Sequence, residues 1–168
     1  MWHQGQEGTL AETTTGARAA DDPLAATIAQ IERSWVGLLS ALEGVPEERL
    51  TEPNAVGEWS IATLMGHVAY WDQQAVVAGE RELRGEPKVE VDWQAANDQE
   101  AKTNDGRGAS EQRASMDRAH AAMIELLRTT PPTDPRVLGL CGCLQGDTFE
   151  HYDEHAADIR VWRERVRC

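Results

Sequence analysis

The chain has 168 residues, enough for one domain with a real core. It carries 29 acidic against 16 basic residues, a formal net charge of −13. Nucleic acids and anionic membrane surfaces demand concentrated positive charge, so this balance argues against both as partners. Hydrophobic residues make up 40%, a globular rather than a disordered proportion, and the apolar runs are far too short to span a bilayer.

Residues 1–21 read as a flexible tail, polar and rich in Gly and Thr, without the apolar stretch of a signal peptide. The domain is expected over residues 22–168. Asp22 and Pro23 make a good cap and first-turn pair. Leu24, Ile28, Ile31, Trp35, Leu38 and Leu42 then recur at alternating steps of four and three, one apolar stripe on a helix that Gly44 and Pro46 stop. After a polar connection, Ser60 caps a second helix whose stripe is Ile61, Leu64, Val68, Trp71 and Ala75; Gly85 and Pro87 end it. The third section is helical at both ends, with turn chemistry at "NDGRG" between them. Its second piece starts near Ser110 and carries Met116, Ala119, Met123, Ile124 and Leu127. A last helix is expected to begin between Leu140 and Asp147 and to run to about Arg165. No stretch alternates with period two for long enough to be a strand, and there is no internal repeat. Four striped helices make an all-α, antiparallel up-and-down four-helix bundle the economical fold.

Histidine is scarce, with five in the chain, and two of them stand four apart in "FEHYDEHAADIRVW". On a helix, His151 and His155 lie about 40° apart in azimuth and about 6 Å apart along the axis, so both imidazoles can converge on one ion. A third histidine, His67 in "LMGHVAYW", follows Leu64 by three and precedes Trp71 by four, and so points inward with the second stripe. An unpaired imidazole there costs roughly 1–3 kcal/mol, and a shared metal would supply its partner. Each feature alone has a plainer reading: an inward histidine is usually a bonded core residue, and a helical H-x-x-x-H is usually a solvated face. The two together bring metal binding level with those readings. Neither His120 nor His3 has a partner that the pattern identifies. Cys141, Cys143 and Cys168 are odd in number and lack framework spacing, so reduced thiols and a cytoplasmic location are expected. The C-x-C of the first two is a thin metal or redox motif.

At these residues the sequence resembles the DinB/YfiT-like superfamily of small metalloproteins, which includes maleylpyruvate isomerase N-terminal-type domains. "GEWSIATLMGHVAYWD" is similar to the family's Trp-Ser…His-x3-Trp helix, "DTFEHYDEHAADIRVW" to its C-terminal His-x3-His helix, and "VDWQAAND" to the segment after the second helix. The resemblance spans roughly residues 22–166. It implies a four-helix bundle holding a divalent metal, commonly zinc or nickel, on His67, His151 and His155. It also implies a homodimer. Activities in the family include transfer of a low-molecular-weight thiol, mycothiol or bacillithiol, maleylpyruvate isomerisation, and hydrolysis of a reactive natural product that protects its producer.

Three neutral histidines leave such a metal doubly positive with open positions, suited to activating a thiol or a water. Glu150, Asp153, Glu154 and Asp158 are near enough in sequence to orient the imidazoles; Asp158, on the face of His155, is alternatively placed to act at the open position as a catalytic residue. Tyr70, Trp71 and Trp162 are candidates for an apolar substrate pocket, and Arg81, Arg84, Arg160 and Arg163 for holding an anionic thiol cofactor. The leading expectation is a metal-dependent thiol S-transferase acting on an electrophilic small molecule in detoxification. The alternatives are a metal-hydroxide hydrolase of a reactive small molecule and a non-enzymatic, stress-associated metal-binding protein.

Overall fold

The computed structural model describes residues 22–167; the expected tail, His3 and Cys168 lie outside the described residues. Helix α1 spans Pro23–Leu42, α2 Ile61–Leu83, α3 Trp93–Asn104, α4 Ala109–Thr129, α5 Val137–Leu144 and α6 His151–Val166. Among the described residues there is no strand, and no helix is long and apolar enough to cross a membrane.

The helix starts follow from local chemistry. The Asp22 carboxylate accepts from the amides of Leu24 and Ala25, with Pro23 at the first helical position. Ser60 Oγ accepts from the Thr63 amide at 3.0 Å and caps α2. The α1 stripe is buried as its spacing predicts, with Ile28 only partly covered. Ile61, Leu64, Val68 and Ala75 of α2 are buried too, but Trp71 is half-buried and donates its indole N–H to Asn97 Oδ1 of α3 at 2.9 Å. Gly106, at φ +77°, makes the turn between α3 and α4.

The last helix differs from expectation in one instructive way. Its first part, α5, begins at Val137, and a π-helical turn over Gly146–Glu150 joins it to α6. Leu140, Leu144, Thr148 and Tyr152 are all 0% exposed. Three successive steps of four drift by about 40° each on a regular α-helix. The wider π turn takes up that drift, so all four point into the same core.

The helix directions also differ from simple alternation. Gly66 of α2 lies beside Gln112 of α4, and Gly79 beside Leu126, so α2 and α4 run the same way. Arg160 of α6 reaches the Gly37 carbonyl of α1, and Arg163 that of Ala41, so α1 and α6 also run the same way. The order is therefore up, down, down, up. Short loops force neighbours to alternate; the long 84–108 crossover, which contains α3, removes that constraint.

The two glycines of α2 let its neighbours approach closely. A Cβ on Gly66 would collide with the Asn104 amide and lie 2.7 Å from Gln112 Oε1, both buried side chains. Gly66→Ala is therefore expected to lower stability by about 1–3 kcal/mol, despite alanine's helix advantage of about 1 kcal/mol. Urea unfolding checks this; an unchanged or raised midpoint would mean that α3 yields freely.

Candidate metal centre

His67 stands in the second turn of α2, and His151 and His155 occupy successive turns at the start of α6. These elements run antiparallel, which brings the three rings together. His67 Nε2 lies 2.9 Å from His151 Nε2, and His155 Nε2 lies 2.8 Å from the same atom. His67 and His155 are 5% and 7% exposed, and His151 is half-buried.

The donor chemistry of this cluster is unbalanced by itself. A neutral imidazole nitrogen offers one proton or one in-plane lone pair. His151 Nε2 therefore satisfies one of its two neighbours, never both. His155 donates its Nδ1–H to Asp158 Oδ2 at 3.1 Å, which leaves its Nε2 as a lone pair facing His151. The Nδ1 atoms of His67 and His151 are buried with no partner. Burial, reinforced by His155, lowers the pKa of His67 to about 3; burial, with His155 and then His67, lowers that of His151 to about 2. Both stay neutral at ordinary pH, with lone pairs available. One cation shared by the three nitrogens balances the set. Nitrogens about 2.05 Å from a tetrahedral ion stand about 3.3 Å apart, about 0.4–0.5 Å wider than the two observed contacts to His151 Nε2, a spreading that small ring rotations supply. His67, His151 and His155 thus form a group that could hold a metal ion.

The surroundings sort the other expected residues. Of the four acids near the pair, Asp158 is the one hydrogen-bonded to a cluster imidazole, through Nδ1, on the side away from the converging nitrogens. Trp71 stands edge-on to His67 at 6.4 Å and touches Tyr70 at 5.3 Å, and both are half-buried. Trp162 lies elsewhere: it is 2% exposed in the core, beneath the Arg49 guanidinium. Trp59, not singled out from sequence, packs on His67 with ring centres 4.7 Å apart. The four arginines are engaged away from the histidines. Arg81 and Arg84 pair with Glu86, and Arg160 and Arg163 hold carbonyls of α1. Cys141 contacts the Pro23 carbonyl and Cys143 that of Leu140, so neither thiol joins the cluster. Burial, then Glu82, pushes the Cys143 thiol up to about 11, the opposite of a reactive thiolate.

Sequence reasoning missed a second polar group. Asp72, 0% exposed, accepts from the Tyr152 hydroxyl, which lies 2.7 Å from both carboxylate oxygens. His120 Nδ1 lies 3.2 Å from the same hydroxyl, and its ring stacks on Trp35 at 4.0 Å. Burial raises the pKa of Asp72 well above the usual carboxylate range, against the Tyr152 hydrogen bond. A signal existed: Asp72 follows Val68 by four, as His120 follows Met116.

A family model described as the DinB superfamily matches residues 30–139. That span contains α2 with His67; His151 and His155 lie beyond it. No curated protein matches, and no solved structure does.

The unpaired Nδ1 of His67 gives a sign prediction. In metal-free protein, His67→Leu removes a buried polar atom without a partner. It should raise the unfolding free energy by about 1 kcal/mol while removing one ligand. Urea unfolding in the presence of a chelator measures this. A loss of stability would mean that His67 is a satisfied core residue.

Proposed function

Because the chain belongs to the DinB superfamily, we propose that it binds a divalent metal, zinc or nickel, through His67, His151 and His155, and uses it to transfer a low-molecular-weight thiol to an electrophilic small molecule. The observation that carries the reading is the donor set: three converging imidazole nitrogens with no carboxylate or thiolate among them. Such a set leaves the full charge of the ion uncompensated. Bound there, a divalent ion would supply Lewis acidity, lowering the pKa of a thiol or water that joins it.

The chain's own residues would do the remainder. Asp158 keeps the His155 proton on Nδ1 and its lone pair on Nε2. Trp59 and Trp71 stand against His67 as apolar walls, suited to holding an apolar electrophile and limiting water. In the transfer, the thiol proton leaves to solvent and the sulfur electron pair forms the bond to the electrophilic carbon. The pair of the carbon bond that breaks departs with the leaving group, or, for an unsaturated electrophile, moves onto the conjugated acceptor, which takes a proton from solvent. Mycothiol or bacillithiol is the thiol type that the family suggests, as a homodimer is the assembly. The same donor set supports hydrolysis of a reactive electrophile when water takes the place of the thiol, and this is the second reading.

Elemental analysis of untagged protein should find one equivalent of zinc or nickel per chain in the wild type and less than a tenth of that in His155→Ala. Turnover of a model electrophile should require added thiol and fall at least 100-fold, on the order of a lost metal ligand, in His67→Ala. Turnover that persists without thiol would favour hydrolysis. Metal retained with no turnover under either condition would leave binding as the function. No metal in the wild type, even after incubation with zinc and nickel, would end the metal reading.

A further inference from the structure

α6 lies along α1, where Arg160 and Arg163 bind α1 carbonyls, whereas α2 packs on α4 through Gly66. The backbones of α2 and α6 approach each other little. Across that gap, the three-histidine cluster is joined, among the described residues, by the hydrogen bond of the Tyr152 hydroxyl to Asp72. Tyr152 directly follows His151 and precedes His155 by three, so it sits between the two histidines on α6. Asp72 lies five residues beyond His67 on α2.

The Tyr152 hydroxyl is held from two sides. Asp72 accepts from it, both oxygens at 2.7 Å. With its hydrogen directed at Asp72, its oxygen accepts from Nδ1 of His120 on α4 at 3.2 Å. His120 is itself fixed by stacking on Trp35 of α1, at 4.0 Å and an interplanar angle of 4°. Tyr152 and Asp72 are both 0% exposed. The apolar core around them, rich in Leu, Met and Ile, tolerates small rotations of a helix, because dispersion contacts are non-directional. A buried hydrogen-bonded chain of three side chains does not. A 10° turn of α6 moves an imidazole tip by about 1 Å, beyond what a preorganised ligand set accepts.

We infer that Tyr152, clamped by Asp72 and His120, is the positioning residue of the centre: it sets the rotation and height of α6 against α2 so that the Nε2 atoms of His151 and His155 meet that of His67. This rests on the metal reading of the three histidines. Tyr152 makes no contact with the converging nitrogens; it acts through the helix that carries two of them.

The test compares wild type, Tyr152→Phe, Asp72→Asn and, as a control for plain destabilisation, Ile124→Val, a core change in α4 outside the polar group. Zinc affinity is read by competition with a chromophoric chelator, the visible cobalt(II) spectrum reports ligand geometry, and urea unfolding reports the stability of the metal-free protein. Tyr152→Phe should weaken zinc binding by about 10-fold or more and alter the cobalt bands. Asp72→Asn keeps an oxygen to accept from Tyr152 and should fall between it and wild type. Ile124→Val should lose stability with affinity unchanged. Tyr152→Phe with wild-type zinc affinity and cobalt spectrum overturns the inference and leaves the metal reading standing. Should that variant fail to fold, wild-type affinity in Asp72→Asn overturns it equally. A wild type that takes up neither zinc nor cobalt overturns the metal reading and this inference with it.

Discussion

Three imidazole nitrogens, two of them 2.9 and 2.8 Å from the third, gathered in a place little reached by water, constitute the demand around which the chain is arranged. Neutral imidazoles cannot satisfy one another in a triangle, because each nitrogen has one proton or one lone pair to offer. Such a cluster is costly unless a cation joins it, and it persists only where the surrounding fold over-determines it. α2 provides one histidine from a helix anchored on α4 and α3. α6 provides two from a helix anchored on α1. The π turn before His151 lets a single rod serve both the core around Leu140 and Leu144 and the site at His151 and His155. π turns inside α-helices often mark functional positions, and here the physical reason is register.

The core meets this demand with a division of labour. Its apolar residues supply most of the stabilisation, since area removed from water is worth about 25 cal/mol per Å² whatever its orientation. They do not by themselves specify how far one helix is turned against the next. The polar group of Asp72, Tyr152, His120 and Trp35 draws one residue from each of the four long helices. Buried polar groups of this kind add little net stability compared with apolar packing of the same volume. Their contribution is direction: a misrotated helix leaves a carboxylate and a hydroxyl buried without partners, at roughly 1–3 kcal/mol each.

How much of this was legible in the sequence depends on the kind of information each feature carries. The helical stripes and caps were legible because burial and capping are local or periodic: Asp22, Ser60 and the α1 stripe behave as their spacing says. The gathering of the three histidines was legible from a helical spacing of four on one element and an inward position on another. Helix direction was not, because a stripe reports which face is buried and nothing of whether a neighbour runs up or down. The long 84–108 connection was the available clue. The π turn left a trace in the run of fours from Leu140 to Tyr152, which a regular helix cannot keep in line. Trp71 misled because an aromatic on a stripe looks like core; its indole N–H needed a partner, and Asn97 on the flanking α3 drew it outward. Asp72 and His120 were hidden because each reads alone as a misplaced polar residue, and Tyr152 pairs them only once the helices are assembled.

The charge distribution separates attraction from selection. A formal charge of −13 draws cations of every kind towards the surface and raises their local concentration. It cannot tell one cation from another. Discrimination falls to the donors, and the cluster contains no oxygen ligand of the sort that magnesium and calcium require. Three imidazoles favour the borderline metals, zinc, nickel, copper and iron, whose affinities for nitrogen rise along the Irving–Williams order. The carboxylates stay outside that ring: Asp158 turns to Nδ1 of His155, and Asp72 is committed to Tyr152. Had either acid joined the ring, it would have neutralised part of the charge of the ion and blunted its power to acidify a bound thiol or water. The same fold that collects acids on its surface therefore keeps them off the three nitrogens, and that separation is what would leave a captured ion reactive.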